Sequence, residues 1–336
     1  MNKKQNMPDS QKIPATNNST DHSTSNDNNN KTWSPHQSFP TSPLETTALK
    51  INNNTLSVCS TYPPTLNLYD TENYNTIYER RIDYEARKII NKNSKIMMLQ
   101  DSYVEFHSSA RYVERVKVNA IDMCYNDIDG RLYLINSNKV SVMDFSRNVL
   151  LTDSDTKNNR NNKEYERIKI NKHNGLAYIL NNNLEGPMIE VHDIRNNNLV
   201  PVMNIPCKNN KKIDSFDFLD GNSLFYLSEN TIYDCDIRKS GDSVSYNINT
   251  GSNKYNTRVL KCFEGVGLFV IDNTNSISNS SNKNIEDILH ISINKVDHEI
   301  KINSIKIGAE ITDYTVKGNM LYVGTDEGVK MFKKGG

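Results

Sequence analysis

The sequence predicts an all-β chain: a β-propeller of about seven four-stranded blades behind a disordered N-terminal tail. Three observations carry this reading. Short runs rich in Ile, Val, Leu, Tyr and Phe alternate with clusters of Asn, Asp, Gly and Ser, the pattern of strands and turns. No stretch of twelve residues or more holds a clean helical stripe; Val104–Asn119 comes nearest and reads equally well as two strands about Ser108-Ser109. One strongly apolar run also returns seven times, beginning at Leu56, Ile96, Leu132, Leu176, Leu224, Leu268 and Leu321. The steps between them are 40, 36, 44, 48, 44 and 53 residues, close to the roughly 40–45-residue period of four-stranded propeller blades.

Each element has its reason. The recurring runs, such as Leu132-Tyr-Leu-Ile and Leu224-Phe-Tyr-Leu, are apolar at every position, as expected of a strand covered on both faces. The core expectation is therefore that Leu132, Tyr133, Leu134, Leu224, Phe225, Leu268 and Phe269 are buried. An alternating strand follows the first five runs: Leu66–Asp70, Tyr103–His107, Val140–Asp144, Ile189–Asp193 and Ile232–Asp236. It usually ends in Asp, a turn-forming residue. Ala120–Asn126 exemplifies a strand before the apolar run, and Tyr112–Val118 and Val200–Ile205 exemplify one trailing the unit. The last unit lacks a trailing strand.

Residues 1–45 read as the disordered tail and residues 46–336 as the propeller. The tail is dominated by Asn, Ser, Thr, Asp, Lys and Pro, which bury too little apolar area to offset ordering at about 1–2 kcal/mol per residue. It carries Ser34-Pro35 and Ser42-Pro43, which suit proline-directed phosphorylation, and the only tryptophan, Trp33. Lys31–Pro40 is the candidate for the strand that the last blade lacks. Asp153–Lys163 and Asn273–Asn284 read as long polar loop insertions.

The bulk chemistry narrows the function. Forty basic and 40 acidic residues cancel, which argues against a protein that grips nucleic acid directly through bulk charge. Hydrophobic residues make up 36%, below the usual figure of about 45–50%; the surplus is asparagine, 50 residues. Five cysteines lie 65, 83, 28 and 27 residues apart, without metal-ligand spacing, behind a polar N-terminus. They read as reduced thiols of an intracellular protein of the nucleus or cytoplasm. The longest apolar run, Val266–Ile271, is too short to insert in a membrane.

The phrases IEVHDIRNN (Ile189–Asn197) and IYDCDIRK (Ile232–Lys239) resemble the ends of WD repeats. In those repeats an alternating strand closes in Trp-Asp and often continues Ile-Arg. Here His192, Cys235, Tyr69 and Met143 occupy the tryptophan position, and His107 is read at the Asp position of the second blade. No Gly-His dipeptide opens the repeats. The resemblance implies a WD-repeat-like propeller over about residues 46–334 that serves as a non-catalytic protein–protein interaction scaffold. The endings Asp193-Ile-Arg195 and Asp236-Ile-Arg238 are the partner-binding candidates. In WD proteins that act as substrate receptors of cullin-based ubiquitin ligases, an Asp-x-Arg ending helps dock the adaptor, which gives an alternative function. The plainer reading is that Asp caps the turn and Arg packs along the blade.

A propeller enzyme with a central-channel site is the remaining alternative. No nucleophile–base pair, metal spacing or phosphate loop supports it. Asp127-Ile-Asp129-Gly130 starts like a calcium loop, but Leu132 and Leu134 stand where oxygen ligands are needed. The expectation is no catalytic residue, no cofactor, no metal and no small-molecule substrate, with other proteins as partners.

Overall fold

The computed structural model describes residues 32–39, 45–92, 95–108, 113–153, 163–183, 186–195, 201–239, 243–248, 259–272 and 286–335. Residues 1–31, most of both long loops and Ser42 lie outside them. The described residues form 28 strands and no helix, arranged as seven four-stranded antiparallel sheets.

The chain enters with β1 (Trp33–Ser38) and then builds six complete blades in order. Blade 1 is β2 (Thr46–Asn52), β3 (Thr55–Ser60), β4 (Thr65–Asp70) and β5 (Thr76–Arg81). Blade 2 is β6 (Lys88–Lys92), β7 (Lys95–Leu99), β8 (Tyr103–His107) and β9 (Val113–Lys117). Blade 3 is β10 (Asp122–Asn126), β11 (Arg131–Ile135), β12 (Val140–Asp144) and β13 (Val149–Asp153). Blade 4 is β14 (Tyr165–Ile170), β15 (Leu176–Asn181), β16 (Met188–Asp193) and β17 (Pro201–Pro206). Blade 5 is β18 (Ser215–Phe218), β19 (Ser223–Ser228), β20 (Thr231–Asp236) and β21 (Ser243–Asn247). Blade 6 is β22 (Leu260–Phe263), β23 (Gly267–Asp272), β24 (Glu286–Asn294) and β25 (Glu299–Ala309). Blade 7 is β26 (Ile311–Lys317), β27 (Met320–Thr325) and β28 (Gly328–Lys334), completed by β1.

The first strand of each blade lines the ring axis. The seven apolar runs are the second strands, and they are buried because a neighbouring blade covers each face. Leu132, Tyr133, Leu134, Leu224, Phe225, Leu268 and Phe269 are all essentially inaccessible. The core is correspondingly not one mass but seven. Each apolar cluster fills one junction, for example Leu134 and Met97 between blades 2 and 3, or Phe216 and Leu180 between blades 4 and 5.

Ring closure uses the N-terminal segment. β1 runs antiparallel to β28, with Trp33 opposite Lys334. Trp33 packs edge-on against Phe269 at 5.7 Å, in the cluster between blades 6 and 7. Phe39 packs against Tyr69 at 4.7 Å, in the cluster between blades 7 and 1. One short segment thus anchors both junctions of the last blade. The strand sought in Lys31–Pro40 is present, so the composition boundary at residue 45 falls beyond a strand of the ring. Trp33 and Phe39 are apolar residues in a polar stretch, and they find cover only because blade 7 leaves a strand vacant. The same closing junction is tight elsewhere: a Cβ on Gly324 would meet Leu49 and Thr46 side chains at 2.7 Å.

A second correction concerns register. His107 lies opposite Ile96, as Met143 lies opposite Leu132 and Cys235 opposite Leu224. It therefore occupies the tryptophan position, equivalent to His192, and not the Asp position.

The seven-junction account sets the cost of core truncation. Leu224→Ala is expected to lose about 2–5 kcal/mol and Trp33→Ala about 3–5 kcal/mol in denaturant unfolding. A loss below about 0.5 kcal/mol for Trp33→Ala would show that β1 does not close the ring.

Candidate functional site

Two places gather polar side chains: the inner wall of the ring and one of its flat faces. On the wall, three carboxylates repeat one arrangement. Asp122 of blade 3 accepts an ion pair from Lys88 of blade 2 at 2.5 Å and the backbone N–H of Ile168 of blade 4 at 2.9 Å. Asp217 of blade 5 pairs with Lys169 of blade 4 at 3.1 Å and accepts the N–H of Cys262 of blade 6, also at 3.1 Å. Asp313 of blade 7 pairs with Lys261 of blade 6 and accepts the N–H of Leu49 of blade 1 at 3.0 Å. Each Asp also accepts the N–H of the residue after it, Met123, Phe218 or Tyr314.

Every wall carboxylate thus reaches one blade back and one blade forward, and three of them stitch six of the seven junctions. A buried carboxylate is tolerated only with such partners. The remaining junction, between blades 1 and 2, has Asn91 donating to Ser57 at 3.0 Å in place of a carboxylate. These groups are committed to one another, an arrangement that holds blades together and, among the described residues, leaves no free acid–base pair on the wall.

The flat face carries the turns between first and second strands and between third and fourth strands. There the Asp endings act as turn caps. Asp70, Asp144, Asp193 and Asp236 each accept the N–H two residues ahead, from Glu72, Ser146, Arg195 and Arg238, at 2.8–3.0 Å. Arg195 and Arg238 do not pack along their blades. Each folds back in a two-pronged ion pair on its own Asp, at 2.8 and 2.5 Å in one case and 2.9 and 2.7 Å in the other. The arginine side chains are 71% and 66% exposed. The hydrogen bond from Arg195 holds the Asp193 carboxyl down to about 2, and Arg238 does the same in direction for Asp236.

Arg238 borders a groove of about 680 Å³ shared by blades 4, 5 and 6. Tyr178 and Met203 give it an apolar floor, while His173, Asp220, Arg238 and Lys295 give it charge and hydrogen-bonding capacity. Lys295 crosses from blade 6 to donate to Ser223 at 2.5 Å. The structure places Arg238 at this groove, while Asp236 lines a smaller neighbouring cavity with Ile205, Tyr226 and Cys235. Asp193 and Arg195 share the face but do not line the groove.

The sequence reading missed two buried networks. In blade 4 the Glu190 carboxylate accepts from Asn181 at 2.8 Å, Tyr165 at 2.9 Å and Lys163 at 3.2 Å, and contacts His192 at 3.1 Å. In blade 2 Glu105 contacts His107 at 2.7 Å and accepts from Arg115 at 2.6 Å. Both follow one pattern, Glu-x-His on the third strand, where alternation puts the two side chains on the same face. Burial alone would raise the Glu190 carboxyl. The bonds with His192 and Asn181, the Lys163 charge and the Tyr165 hydroxyl outweigh it and hold the group at about 2. Among the described residues no cluster of three or more His, Cys, Asp or Glu could hold a metal ion, and all five cysteines are free thiols.

A family model described as "Nucleolar protein 10-like, N-terminal domain" matches residues 5–253. The chain belongs to that family. Its match begins within the stretch that composition assigns to the tail. No curated protein matches the chain by sequence. Among solved structures the chain is similar to Raptor from Chaetomium thermophilum, with TM-score 0.66 and 10% identity over 91% of this chain and 30% of that one. It is also similar to the Pan2 WD40 domain of Neurospora crassa, with TM-score 0.65 and 8% identity over 90% and 96% of the two chains. The computationally designed Ika8 protein matches with TM-score 0.56 and 13% identity over 89% and 97%. At these identities the likeness is one of fold. Together with the family it makes this nucleolar protein 10-like chain a WD-repeat-like propeller, as the Asp-Ile-Arg endings imply.

The Glu190 network yields a pH test. A carboxyl held near 2 when folded and near the ordinary value of about 4.3 when unfolded adds stability above pH 4.3 and loses it as pH falls toward 2. Acid unfolding of the wild type and Glu190→Gln should therefore converge across that window, from a gap of at most about 3 kcal/mol at neutral pH. A gap that stays constant down to pH 2 would show that Glu190 is not ionised in the fold.

Proposed function

We propose that the protein is a non-catalytic interaction scaffold in a nucleolar multiprotein complex. The observation that carries this is the family match, whose description is nucleolar, on a closed WD-repeat-like ring. Propellers of this family and fold generally bind other proteins and are generally non-catalytic. The polar residues at the ring's centre support the reading, because each carboxylate there is spent on its neighbouring blades. An enzyme site in the channel would need some of them free.

The proposed docking face carries Asp193, Arg195, Asp236 and Arg238, centred on the groove beside Arg238. Its composition fits a protein partner. Leu176, Met203 and Ile237 offer apolar area, and Arg238, Asp220 and Lys295 offer charges of both signs. Each exposed Arg–Asp fork could exchange its local partner for a carboxylate of the docking protein. The ligase-receptor reading uses the same two endings, and a cullin adaptor among the captured proteins would favour it.

The test is the double variant Arg195→Ala/Arg238→Ala, compared with wild type by thermal melting and by capture from nucleolar extract with mass spectrometry. The expected outcome is a melting curve shifted by no more than a few degrees and at least one stoichiometric partner lost. An unfolded variant would make the arginines structural braces. A folded variant that keeps every partner would move the docking face elsewhere.

A further inference from the structure

A ring of seven cannot alternate two charges without a fault. In order from blade 2, the inner wall presents Lys88, Asp122, Lys169, Asp217, Lys261 and Asp313, and then Lys50 of blade 1. Six positions alternate in sign. The fault falls between blades 1 and 2, where Lys50 follows Asp313 and precedes Lys88. The wall therefore carries four ammonium groups against three carboxylates, and Arg167, on the same side of β14 as Lys169, adds a guanidinium that donates to Ser215 of blade 5 at 3.1 Å.

Among the described residues no carboxylate on the wall is left over for Lys50. Asp313 gives one oxygen to Lys261 and the Tyr314 N–H, and the other to the Leu49 N–H. Asp122 is taken by Lys88, Met123 and Ile168. Asp217 is taken by Lys169, Phe218 and Cys262. The blade 1–2 junction behind Lys50 offers no charge, being built of Ala48, Cys59, Ile89 and Met98 with the Asn91–Ser57 hydrogen bond. The channel is nonetheless open: the paired wall side chains keep 13–33% exposure, and Lys50 is exposed as well. Burial within the ring, and then the charges of Lys261 and Lys169, lower the Lys50 pKa, with Asp313 opposing and Lys88 adding to the effect. An uncompensated cation in an enclosed, water-reached space is a site for an anion.

We propose that the central channel binds one small oxyanion of the phosphate or sulfate class at the blade 1–2 seam, held by Lys50 with Lys88 beside it. A tetrahedral oxyanion suits the position. Lysine offers three donors; Lys50 has all of its own available, and Lys88 spends one on Asp122. A bound anion restores the alternation that an odd ring cannot complete with side chains alone, and ties together the one junction that lacks a carboxylate clasp.

The experiment titrates the full chain with sodium phosphate, sodium chloride holding ionic strength constant, and reads both heat of binding and melting temperature. The wild type should bind one phosphate per chain and melt at progressively higher temperature until saturation. Lys50→Met should weaken binding at least tenfold and abolish the saturable shift, while melting in chloride no lower than the wild type. Lys50→Arg, which keeps the charge, should retain binding, so a misfolded Met variant does not leave the question open. Sulfate should compete. Absence of saturable binding to the wild type overturns the proposal. So does a Lys50→Met protein that binds phosphate as the wild type does, which would place the anion elsewhere.

Discussion

The constraint on which the structure depends is the cost of placing charge inside a ring. Asp122, Asp217 and Asp313 stand on first strands, facing the axis, where an isolated carboxylate would be expensive. Each avoids the cost by taking an ammonium from the blade before and a backbone N–H from the blade after. That double attachment is directional. It sets how far each first strand slides against the next, something the non-directional apolar clusters between blades cannot do. Apolar burial brings the blades together, and the carboxylates set their phase.

The functional reading follows from the same division of labour. The carboxylates at the axis are consumed in holding the ring, so the surfaces left for protein partners are the faces and rims. One face has capped turns with exposed Arg–Asp forks and a mixed groove over blades 4 to 6. In blades 1, 3, 4 and 5 the Asp that ends the third strand holds the N–H two residues on, which turns a repeat-spacing residue into a scaffold for display. The N-terminal segment works similarly. By filling the last position of blade 7, β1 covers a strand edge that would otherwise invite another chain.

Much of this was legible in the sequence, for definable reasons. The second strands are buried on both faces, so they read as unbroken apolar runs, and their spacing gives the blade count. The vacant position in the last unit pointed to Lys31–Pro40. Composition hid the rest of that story, since Trp33 of β1 and Phe39 just after it are core residues set in an otherwise polar stretch. His107 was misplaced because blade 2 has Ser108 where blades 1, 3, 4 and 5 have Asp, and register is settled by pairing and not by counting. The wall carboxylates were missed although a signal exists: Asp122, Asp217 and Asp313 recur at 95 and 96 residues, two blades apart. A search for one-blade periods passes over a two-blade period. The Glu-x-His networks left a local trace, Glu105-Phe-His107 and Glu190-Val-His192, but two such triplets among scattered histidines carry no weight until strand alternation puts each pair on one face.

The most direct test of the central claim is amide hydrogen exchange at Leu49, Ile168 and Cys262, compared between wild type and Asp217→Ala. In the wild type all three amides should exchange slowly, because each is bonded to a wall carboxylate. In the variant, Cys262 should lose protection by roughly a hundredfold, the equivalent of about 2.7 kcal/mol, beyond any uniform loss, while Leu49 and Ile168 keep their relative protection. Equal behaviour of the three amides in the variant would contradict the account, since the carboxylates would then not be what joins each first strand to the next.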